Sequence, residues 1–367
     1  MKASRTLIIT AFLSCILLGA LALFFVFGKN PDGGRAASLP VIRPSPAPEA
    51  TPAPAVIPRT KILETSYHIF QTRNNCAPAA LSMALSYYGI TASQETLADA
   101  LRPYQSQTGD DDKSTPPDEL AGKAKEYGLI PYFRANGRIE TVQRLIANDM
   151  PVVVRALLEP DKDYAHYRVI KGYDDETGEF IQDDSLQGKD LRYTYDDFIA
   201  LWRPFNYGYL VLAPPEKRGI IEAILGPETD PAVAWQGARE TAERELEQDP
   251  DDVQARFNLS VASFSIGDYT RSVREFEAVE SDLPMRTLWY QIEPIQAYFE
   301  LGNYERVFAL TDRIFRDGNP AFAELHLLRG QSRIAQGEAA KAREEFEKAV
   351  LYNRNLKSAR QALDALE

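Results

Sequence analysis

The chain has 367 residues, which is enough for two or three domains of ordinary size. Hydrophobic residues make up 44% of it and charged residues 26%, a globular composition that excludes a mainly disordered chain. The formal net charge of -12 argues against nucleic acid as a partner, because binding to phosphates needs a basic surface.

The N-terminal segment has the pattern of a membrane anchor. Lys2 and Arg5 precede an uncharged apolar run from Leu7 to Phe27, which is long enough to cross a bilayer core of about 30 Å. Positive charge favours the cytoplasmic side, so the bulk of the chain is expected outside the cytoplasm. We predict a single-pass signal anchor over residues 1–28, associated with the cell membrane. The alternative is a signal peptide cleaved after the Ala36-Ala37 region.

The next segment, residues 29–60, is rich in Pro and Ala and lacks hydrophobic periodicity. This composition predicts a semi-rigid linker that holds the following domains away from the membrane. Beyond the linker the chain contains one cysteine, Cys76, because Cys15 lies within the apolar run. An intrachain disulfide outside the membrane is therefore excluded. The single thiol is either a small buried residue or a reactive group.

The sequence QTRNNCAPAALSMALSYYG, residues 71–89, predicts a helix that begins at the thiol. Asn74 and Asn75 give a helix-cap signal, Pro78 suits the first turn, and Gly89 suits the C-terminal end. A thiol at a helix N-terminus is expected to have a lowered pKa, because the helix dipole and the free backbone N–H groups favour the thiolate.

Helical and extended patterns follow this first helix. We predict helices at PPDELAGKAKEYGL, RIETVQRLIAND and LRYTYDDFIALW. We predict strands at MPVVVRALL and YGYLVLAP, and two strands joined by a turn in HYRVIKGYDDETGEFIQDDS. Helices followed by an antiparallel sheet indicate an α+β domain, which we place at residues 61–214.

Four residue types with a shared chemistry occur in this domain. His166 begins the first strand of the strand pair, and Asp183 and Asp184 end the second. The chain order is Gln71, Cys76, His and Asp, as in papain-like cysteine peptidases, where Cys attacks, His transfers the proton and an acid or amide orients it. The Gln71 amide suits an oxyanion donor. A buried cysteine and a strand-capping histidine are the structural alternatives.

Several segments make the similarity more specific. NNCAPAALSMALSYYG, HYRVIKGYD, QDDSLQG and YTYDDFIALW resemble the bacteriocin-processing (double-glycine leader) peptidases, in particular their stand-alone extracytoplasmic relatives, over about residues 64–214. The resemblance implies a papain-like fold and hydrolysis of peptide bonds by a cysteine-type endopeptidase. It implies a nucleophile at Cys76, a base at His166 and an oxyanion glutamine at Gln71. The implied orienting acid is Asp184, with Asp183 as the alternative, and no metal or organic cofactor is implied.

The sequence departs from the expected pattern in two places, which leaves other functions open. Ala77 stands where the resembled family usually has Gly, and Cys76 follows Gln71 by five positions where papain-like sites commonly have six. The main alternative is a membrane-tethered adaptor with an inert peptidase-like fold. In a third interpretation the thiol is reactive but the protein is an acyl-transferase, either a transpeptidase or a transglutaminase-like enzyme. The other histidines, His68 and His326, are less suitable bases, because one precedes Gln71 in the extended approach and the other lies far along the chain.

The last part of the chain, residues 232–367, resembles an array of three tetratricopeptide units. Gly267, Gly302 and Gly337 recur near the period of about 34 residues that is typical of this repeat. An added helix from Ala232 to Gln248 precedes the units, a short helix follows them, and a linker is expected at residues 215–231. Such arrays usually bind peptides or partner proteins, and a structural appendage packed on the peptidase domain is the alternative.

The sequence as a whole predicts an extracytoplasmic cysteine peptidase tethered to the cell membrane by its N-terminal helix. Its expected substrate is a peptide or protein, and the repeats are expected to bind the substrate or a protein partner.

Overall fold

The computed structural model describes residues 54–65, 67–105, 115–160 and 162–366. The anchor predicted at residues 1–28 and most of the linker predicted at 29–60 lie outside the described residues. The described end of the linker contacts the domain that follows, because the Ala55 N–H donates to Oδ1 of Asn148 at 2.9 Å. Within the described residues, no helix has the length and apolar character needed to cross a membrane.

The first domain is built on one antiparallel sheet, to which seven strands of the described residues belong. The strands are β1 (Thr60–Ile62), β2 (Ile130–Arg134), β3 (Val152–Leu157), β4 (Ala165–Asp174), β5 (Glu179–Asp184), β6 (Gly188–Thr194) and β7 (Tyr209–Ala213). They lie in the order β2-β7-β3-β4-β5-β6, and β1 pairs with the end of β4. The helices of this sheet domain are α1 (Cys76–Ser86), α2 (Gln94–Leu101), α3 (Pro117–Lys125), α4 (Ile139–Ala147), α5 (Tyr195–Trp202) and α6 (Arg218–Leu225). The α+β prediction for this domain is confirmed.

The sheet separates two hydrophobic cores. Because side chains alternate along a strand, Tyr167 and Val169 of β4 pack on the side of α1, α2 and α3. Ile170 packs on the other side with α4, α5 and α6. His166 and Arg168 share the alternation of Ile170, so their side chains point away from the hydrophobic core that contains α1.

The structure differs from the sequence-based expectation at several segments, and it contains α2, β1 and β2, for which no element was predicted. LRYT was expected to begin a helix, but Gly188–Thr194 forms edge strand β6 against β5. Helix α5 starts only after Thr194, whose side chain accepts the Asp197 N–H and caps it. Residues 215–231 are not an extended linker, because they contain α6 with two buried apolar side chains, Ile221 and Leu225, in the core.

The C-terminal region is entirely helical in its described part. Its helices are α7 (Pro231–Gln248), α8 (Val253–Ser265), α9 (Tyr269–Glu277), α10 (Thr287–Tyr290), α11 (Glu293–Glu300), α12 (Tyr304–Arg316), α13 (Ala323–Ala335), α14 (Ala339–Tyr352) and α15 (Lys357–Asp364). Gly267, Gly302 and Gly337 have positive φ in the turns of the pairs α8/α9, α11/α12 and α13/α14. The three predicted helix pairs are thus present, and we call this region the helical array.

The helical array contacts the sheet domain at both of its ends and in its middle. Arg203, which follows α5, pairs with Glu245 of α7 at 3.0 Å. Arg286, just before α10, pairs with Asp163 at 2.8 Å. Near the C-terminus, the Asn355 side chain donates to the carbonyl oxygen of Ala100 at 2.9 Å. Contacts distributed in this way hold the array against the sheet domain.

Substitution of alanine for glycine is predicted to have opposite effects on stability at two helical positions. A Cβ at Gly330 of α13 would lie 2.3 Å from the buried ring of Phe346, whereas a Cβ at Gly122 of α3 would meet nothing within 4 Å. Gly330→Ala is expected to cost about 1–3 kcal/mol through overpacking. Gly122→Ala is expected to stabilise by about 0.5–1 kcal/mol, because alanine is the better helix former. Urea unfolding of both variants measures the difference, and an equal effect of both changes would contradict the helix packing.

Candidate active site

Cys76 is the first residue of α1, and its side chain is partly exposed. The backbone N–H groups of Ala77 and of Tyr167 in β4 face its sulfur. The preceding Asn75 does not cap the helix with its side chain, which instead donates to Oγ1 of Thr72 at 2.7 Å and accepts a hydrogen bond from the Arg102 guanidinium. The thiol therefore lies where the N-terminus of α1 meets the backbone of β4.

The resting thiol is not acidic. Burial raises the pKa of Cys76 above its ordinary value, and the nearby Asp184 carboxylate acts in the same direction. The N–H groups that face the sulfur and the Arg102 guanidinium lower this pKa, but they do not overcome the desolvation. The lowered pKa expected from the helix N-terminus is therefore wrong for this state, and the sulfur is held as a neutral thiol.

His166 is fully buried and is held from two sides. Its Nε2 lies 2.7 Å from Oε1 of Gln71, and its Nδ1 lies 3.1 Å from Oδ2 of Asp184 at an angle that is not that of a hydrogen bond. A carbonyl oxygen only accepts, so Nε2 carries the proton in this contact. Among the described residues, no hydrogen bond joins the imidazole to the Cys76 sulfur.

Asp184 is at the centre of a buried charge cluster. Its Oδ2 accepts from Nε of Arg168 at 3.0 Å, and its Oδ1 accepts from the N–H groups of Leu186 at 2.7 Å and Gln187 at 2.9 Å. Burial by itself favours the neutral acid. His166 and the two N–H groups outweigh it and hold the pKa of the Asp184 carboxyl well below its usual range. Asp184 is therefore ionised beside His166.

Asp183, the alternative orienting acid, points to the other face of the sheet. Its Oδ1 lies 2.7 Å from Nζ of Lys171 and accepts the N–H of Asp190 at 2.9 Å. Successive residues of a strand face opposite sides, so only one of the two aspartates reaches the imidazole. The structure brings Asp184 beside His166 and pairs Asp183 with a lysine.

Gln71 is connected to the end of β5. Its Oε1 accepts from Oγ of Ser185 at 2.9 Å as well as from the imidazole, and its N–H donates to the Ser185 carbonyl at 2.8 Å. Its amide Nε2 makes no hydrogen bond within the described part of the chain. The oxygen of this amide, not the NH₂ group expected for an oxyanion donor, is thus what faces His166 in this state.

The other two histidines are bonded elsewhere. Nε2 of His68 donates to the carbonyl oxygen of Asp184 at 3.0 Å, which supports the end of β5. His326 lies in the helical array, 2.6 Å from Oε2 of Glu345 and 3.0 Å from the Pro320 carbonyl. Neither ring lies with the thiol. The described residues contain no group of His, Cys, Asp and Glu side chains that could hold a metal ion.

Three residues of this site were missed in the sequence. Arg168 follows His166 by two positions, and a charged residue in the otherwise apolar run HYRVI is a signal that it shares the face of the imidazole. Ser185 carries no such signal. Tyr290 comes from α10 of the array, where its hydroxyl faces the Ala165 N–H and lies near the Cys76 thiol. No local pattern could have indicated a contact over that separation.

Comparison with known families agrees with this two-part organisation. Residues 62–209 match the sequence model described as the Peptidase_C39 like family, and residues 235–283 match a tetratricopeptide repeat. The chain carries a Peptidase_C39-like domain followed by tetratricopeptide repeats. No curated protein matches it. The peptidase-like domain is thus the sheet domain, and the repeats belong to the helical array.

Solved structures resemble one or the other part of the chain. The peptidase domain of Streptococcus ComA, a bifunctional ABC transporter of a quorum-sensing pathway, is 22% identical, with 40% of this chain and 96% of that chain covered and a TM-score of 0.32. A double glycine motif protease from an AMS/PCAT transporter, in complex with its leader peptide, is 17% identical, with 42% and 94% covered and a TM-score of 0.32. MamA is 18% identical, with 36% and 77% covered and a TM-score of 0.33.

The charge cluster predicts a pH-dependent stability. Asp184→Asn is expected to cost about 3–5 kcal/mol at pH 7, because it leaves the Arg168 guanidinium buried and uncompensated. The pKa of Asp184 is depressed by folding, so its stabilisation is complete above about pH 4, the ordinary value for aspartate, and is lost as the pH falls below it. The difference in unfolding free energy between wild type and variant should therefore shrink below pH 4.

Asp149→Asn is the matched control, because Asp149 is an exposed partner of Lys61 at 2.8 Å. It should change stability by less than about 1 kcal/mol. Denaturant unfolding between pH 3 and pH 7 provides the comparison. Equal losses in both variants would show that the cluster does not stabilise the fold.

Proposed function

We propose that the chain is a cysteine peptidase that cleaves peptide bonds, with Cys76 as nucleophile and His166 as base. One observation carries the proposal: His166, which pairs with Asp184 of β5, directly precedes Tyr167 of β4, whose N–H faces the Cys76 sulfur, so the sulfur lies at the level of the β4 backbone beside the imidazole. Because Nδ1 of the imidazole faces Asp184, Nε2 is the nitrogen left to exchange a proton with the thiol.

The proposed reaction has two stages. The Cys76 sulfur attacks the substrate carbonyl carbon while its proton moves to Nε2 of His166, and Asp184 stabilises the imidazolium that forms. The oxyanion accepts from the Cys76 N–H and the free Nε2 of Gln71. The C–N bond then breaks, His166 gives its proton to the leaving amine, and water hydrolyses the thioester to a free acid and the thiol.

Gln71 is proposed to change partners during this cycle. In the resting state its Oε1 fixes the proton on Nε2 of His166, and a nitrogen that carries a proton cannot act as the base. A substrate carbonyl in the site offers an acceptor to the Gln71 amide NH₂ group and so draws the amide away from the imidazole. The proton can then occupy Nδ1, facing Asp184, which leaves the Nε2 lone pair for the thiol.

An inert peptidase-like adaptor is the second candidate, and two observations favour it. The described residues contain no hydrogen bond between Cys76 and His166, and the pKa of the thiol is raised. Ala77 is weaker support, because it is buried in the hydrophobic cluster around α1, where an alanine packs well. In this alternative the site retains a peptidase arrangement without turnover, and the repeats bind a protein partner.

Gln71→Ala is predicted to raise the rate of Cys76 alkylation and to lower the rate of peptide cleavage. Loss of Oε1 frees Nε2 of His166, so alkylation of Cys76 by iodoacetamide at pH 7 should rise about tenfold. Loss of the amide NH₂ group removes an oxyanion donor, so cleavage of a peptide library, followed by mass spectrometry, should fall about 10²–10³-fold.

Three variants control this experiment. Cys76→Ala should abolish cleavage, and adding His166→Ala to Gln71→Ala should abolish the gain in alkylation. Gln361→Ala, at an exposed position of α15, should leave both rates unchanged. Equal alkylation in wild type, Gln71→Ala and the double variant, with no cleavage by wild type, would refute the peptidase and leave the adaptor.

We also propose that the protein is attached to the cell membrane with its peptidase-like domain on the extracytoplasmic side. The support is the uncharged run from Leu7 to Phe27 with positive charge before it. The full-length protein should sediment with membranes at high salt, and a chain without residues 1–28 should remain in the supernatant. Protease added to intact cells stripped of their wall should digest the full-length protein, and protection from it would contradict the orientation.

A further inference from the structure

A cavity of about 500 Å³ lies between the sheet domain and the helical array. Its aromatic walls come from both parts of the chain: Phe205 from the sheet domain, and Trp235, Trp289 and Tyr290 from the array. A volume of this size, with aromatic walls and charged groups between them, suits a small molecule or a short peptide segment. The cavity exists only because the two parts of the chain are packed together.

Arg155 of β3 lines this cavity without a polar partner. Its side chain is 8% exposed, and its guanidinium lies over the ring of Phe205, 4.8 Å from the centroid. Within the described residues Arg155 makes no hydrogen bond and no ion pair, and its Nε is fully shielded from solvent. A buried guanidinium without an anion is costly to the fold, so a free carboxylate is the complementary ligand.

Four acidic residues, Asp118, Glu119, Glu293 and Glu324, line the same cavity, and within the described residues none of them forms a hydrogen bond or an ion pair with Arg155. Glu293 of α11 is the one whose charge interacts with that of Arg155. Its Oε2 is buried and has no hydrogen-bond partner in the described part of the chain. Burial raises the pKa of the Glu293 carboxyl, Asp118 adds to the shift, and the positive charge of Arg155 reduces it. A carboxyl with a raised pKa repels a ligand anion less than an ionised one does.

Two residues connect the cavity with the surroundings of the thiol. Tyr290 lines the cavity and also lies near Cys76 with its hydroxyl against the Ala165 N–H. Arg155 is paired across β3 and β4 with Tyr167, whose own N–H faces the sulfur. One cross-strand residue pair therefore links Arg155 to the candidate nucleophile.

We propose that this cavity binds a carboxylate of the peptide substrate at Arg155, with an apolar or aromatic side chain of the same peptide against the aromatic walls. The carboxylate belongs either to the C-terminus of the peptide or to an Asp or Glu side chain. The proposal deepens the peptidase function and rests on it for the identity of the ligand as a substrate. The repeats then contribute one wall of the substrate site.

Binding is measured on the full-length chain with Cys76→Ala, so that no turnover occurs. The chain has three tryptophans. Trp235 and Trp289 line the cavity, while Trp202 is buried in the other core and is insensitive to a ligand there. The probes are N-acetyl-Ala-Phe as free acid and as amide, and the amides of N-acetyl-Asp-Phe and N-acetyl-Asn-Phe.

Binding is followed by the quenching of tryptophan fluorescence. In at least one of these two pairs, the acid should bind at least about tenfold more tightly than its neutral partner, because one charge-assisted hydrogen bond contributes about that much. Preference in the first pair identifies a C-terminal carboxylate, and preference in the second identifies an acidic side chain. Equal affinities within both pairs, or no binding, would overturn the proposal.

Arg155→Met should abolish the preference for the acid, and its unfolding temperature should not fall below that of wild type, because the replaced charge has no partner. Arg144→Met is the control and should keep the preference, since the Arg144 side chain is 44% exposed and, among the described residues, its ion pair is with Glu140 of the same helix. A preference retained in Arg155→Met, or unfolding of that variant at a much lower temperature, would overturn the assignment.

The experiments distinguish failure of the peptidase proposal from failure of the carboxylate-site proposal. Probes that bind with the expected preference to a chain that cleaves nothing would refute the peptidase and keep the carboxylate site. Cleavage that depends on Cys76 but is indifferent to Arg155→Met and to the charge of the peptide would refute the site and keep the peptidase.

Discussion

The buried ion pair of Arg168 and Asp184 is the interaction on which the candidate site depends. Two charges with no access to water must be paired, so the pair fixes the register of β4 and β5 at this point. Asp184 also accepts the N–H groups of the turn after β5, which positions Ser185. Ser185 in turn holds Gln71 in front of the imidazole. One salt bridge thus orients the acid, the histidine and the amide.

The candidate nucleophile of the resting site is neutral. Desolvation of the Cys76 thiol outweighs the N–H groups around it, and the Gln71 oxygen accepts the proton on Nε2 of His166. Such an arrangement avoids a buried thiolate in the absence of substrate. In the proposed cycle, negative charge forms on the sulfur and on the carbonyl oxygen only once a substrate carbonyl offers an acceptor to the Gln71 amide.

The helical array has a closer relation to the sheet domain than a tethered scaffold would have. Ion pairs and hydrogen bonds join the two parts at the start, the middle and the end of the array. Tyr290 of α10 reaches the backbone beside His166 and the thiol. The repeats therefore form part of the surroundings of the site. They pack on the peptidase-like domain, and the array closes a cavity that neither part has alone.

Elements whose patterns are local could be predicted from the sequence. Hydrophobic periodicity located α1, α3 and α4 and the strands β3, β4, β5 and β7, and the recurring glycines located the helix pairs, because both signals depend on neighbouring residues. These signals missed α2, the short strands β1 and β2, the helix in residues 215–231, and β6, a polar edge strand stabilised by its pairing with β5. Chain order also selected the four residue types of the candidate site.

The way in which those residues meet depends on contacts between segments that are distant in the sequence. Asp184 rather than Asp183 reaches His166 because the strand register, which is a pairing between distant segments, sets the face of each side chain. The pKa of Cys76 is raised although its helix position alone would lower it, since burial depends on every element packed around the sulfur. The unpaired Arg155 and the cavity beside it depend on contacts between residues more than a hundred positions apart, and no local pattern encodes those contacts.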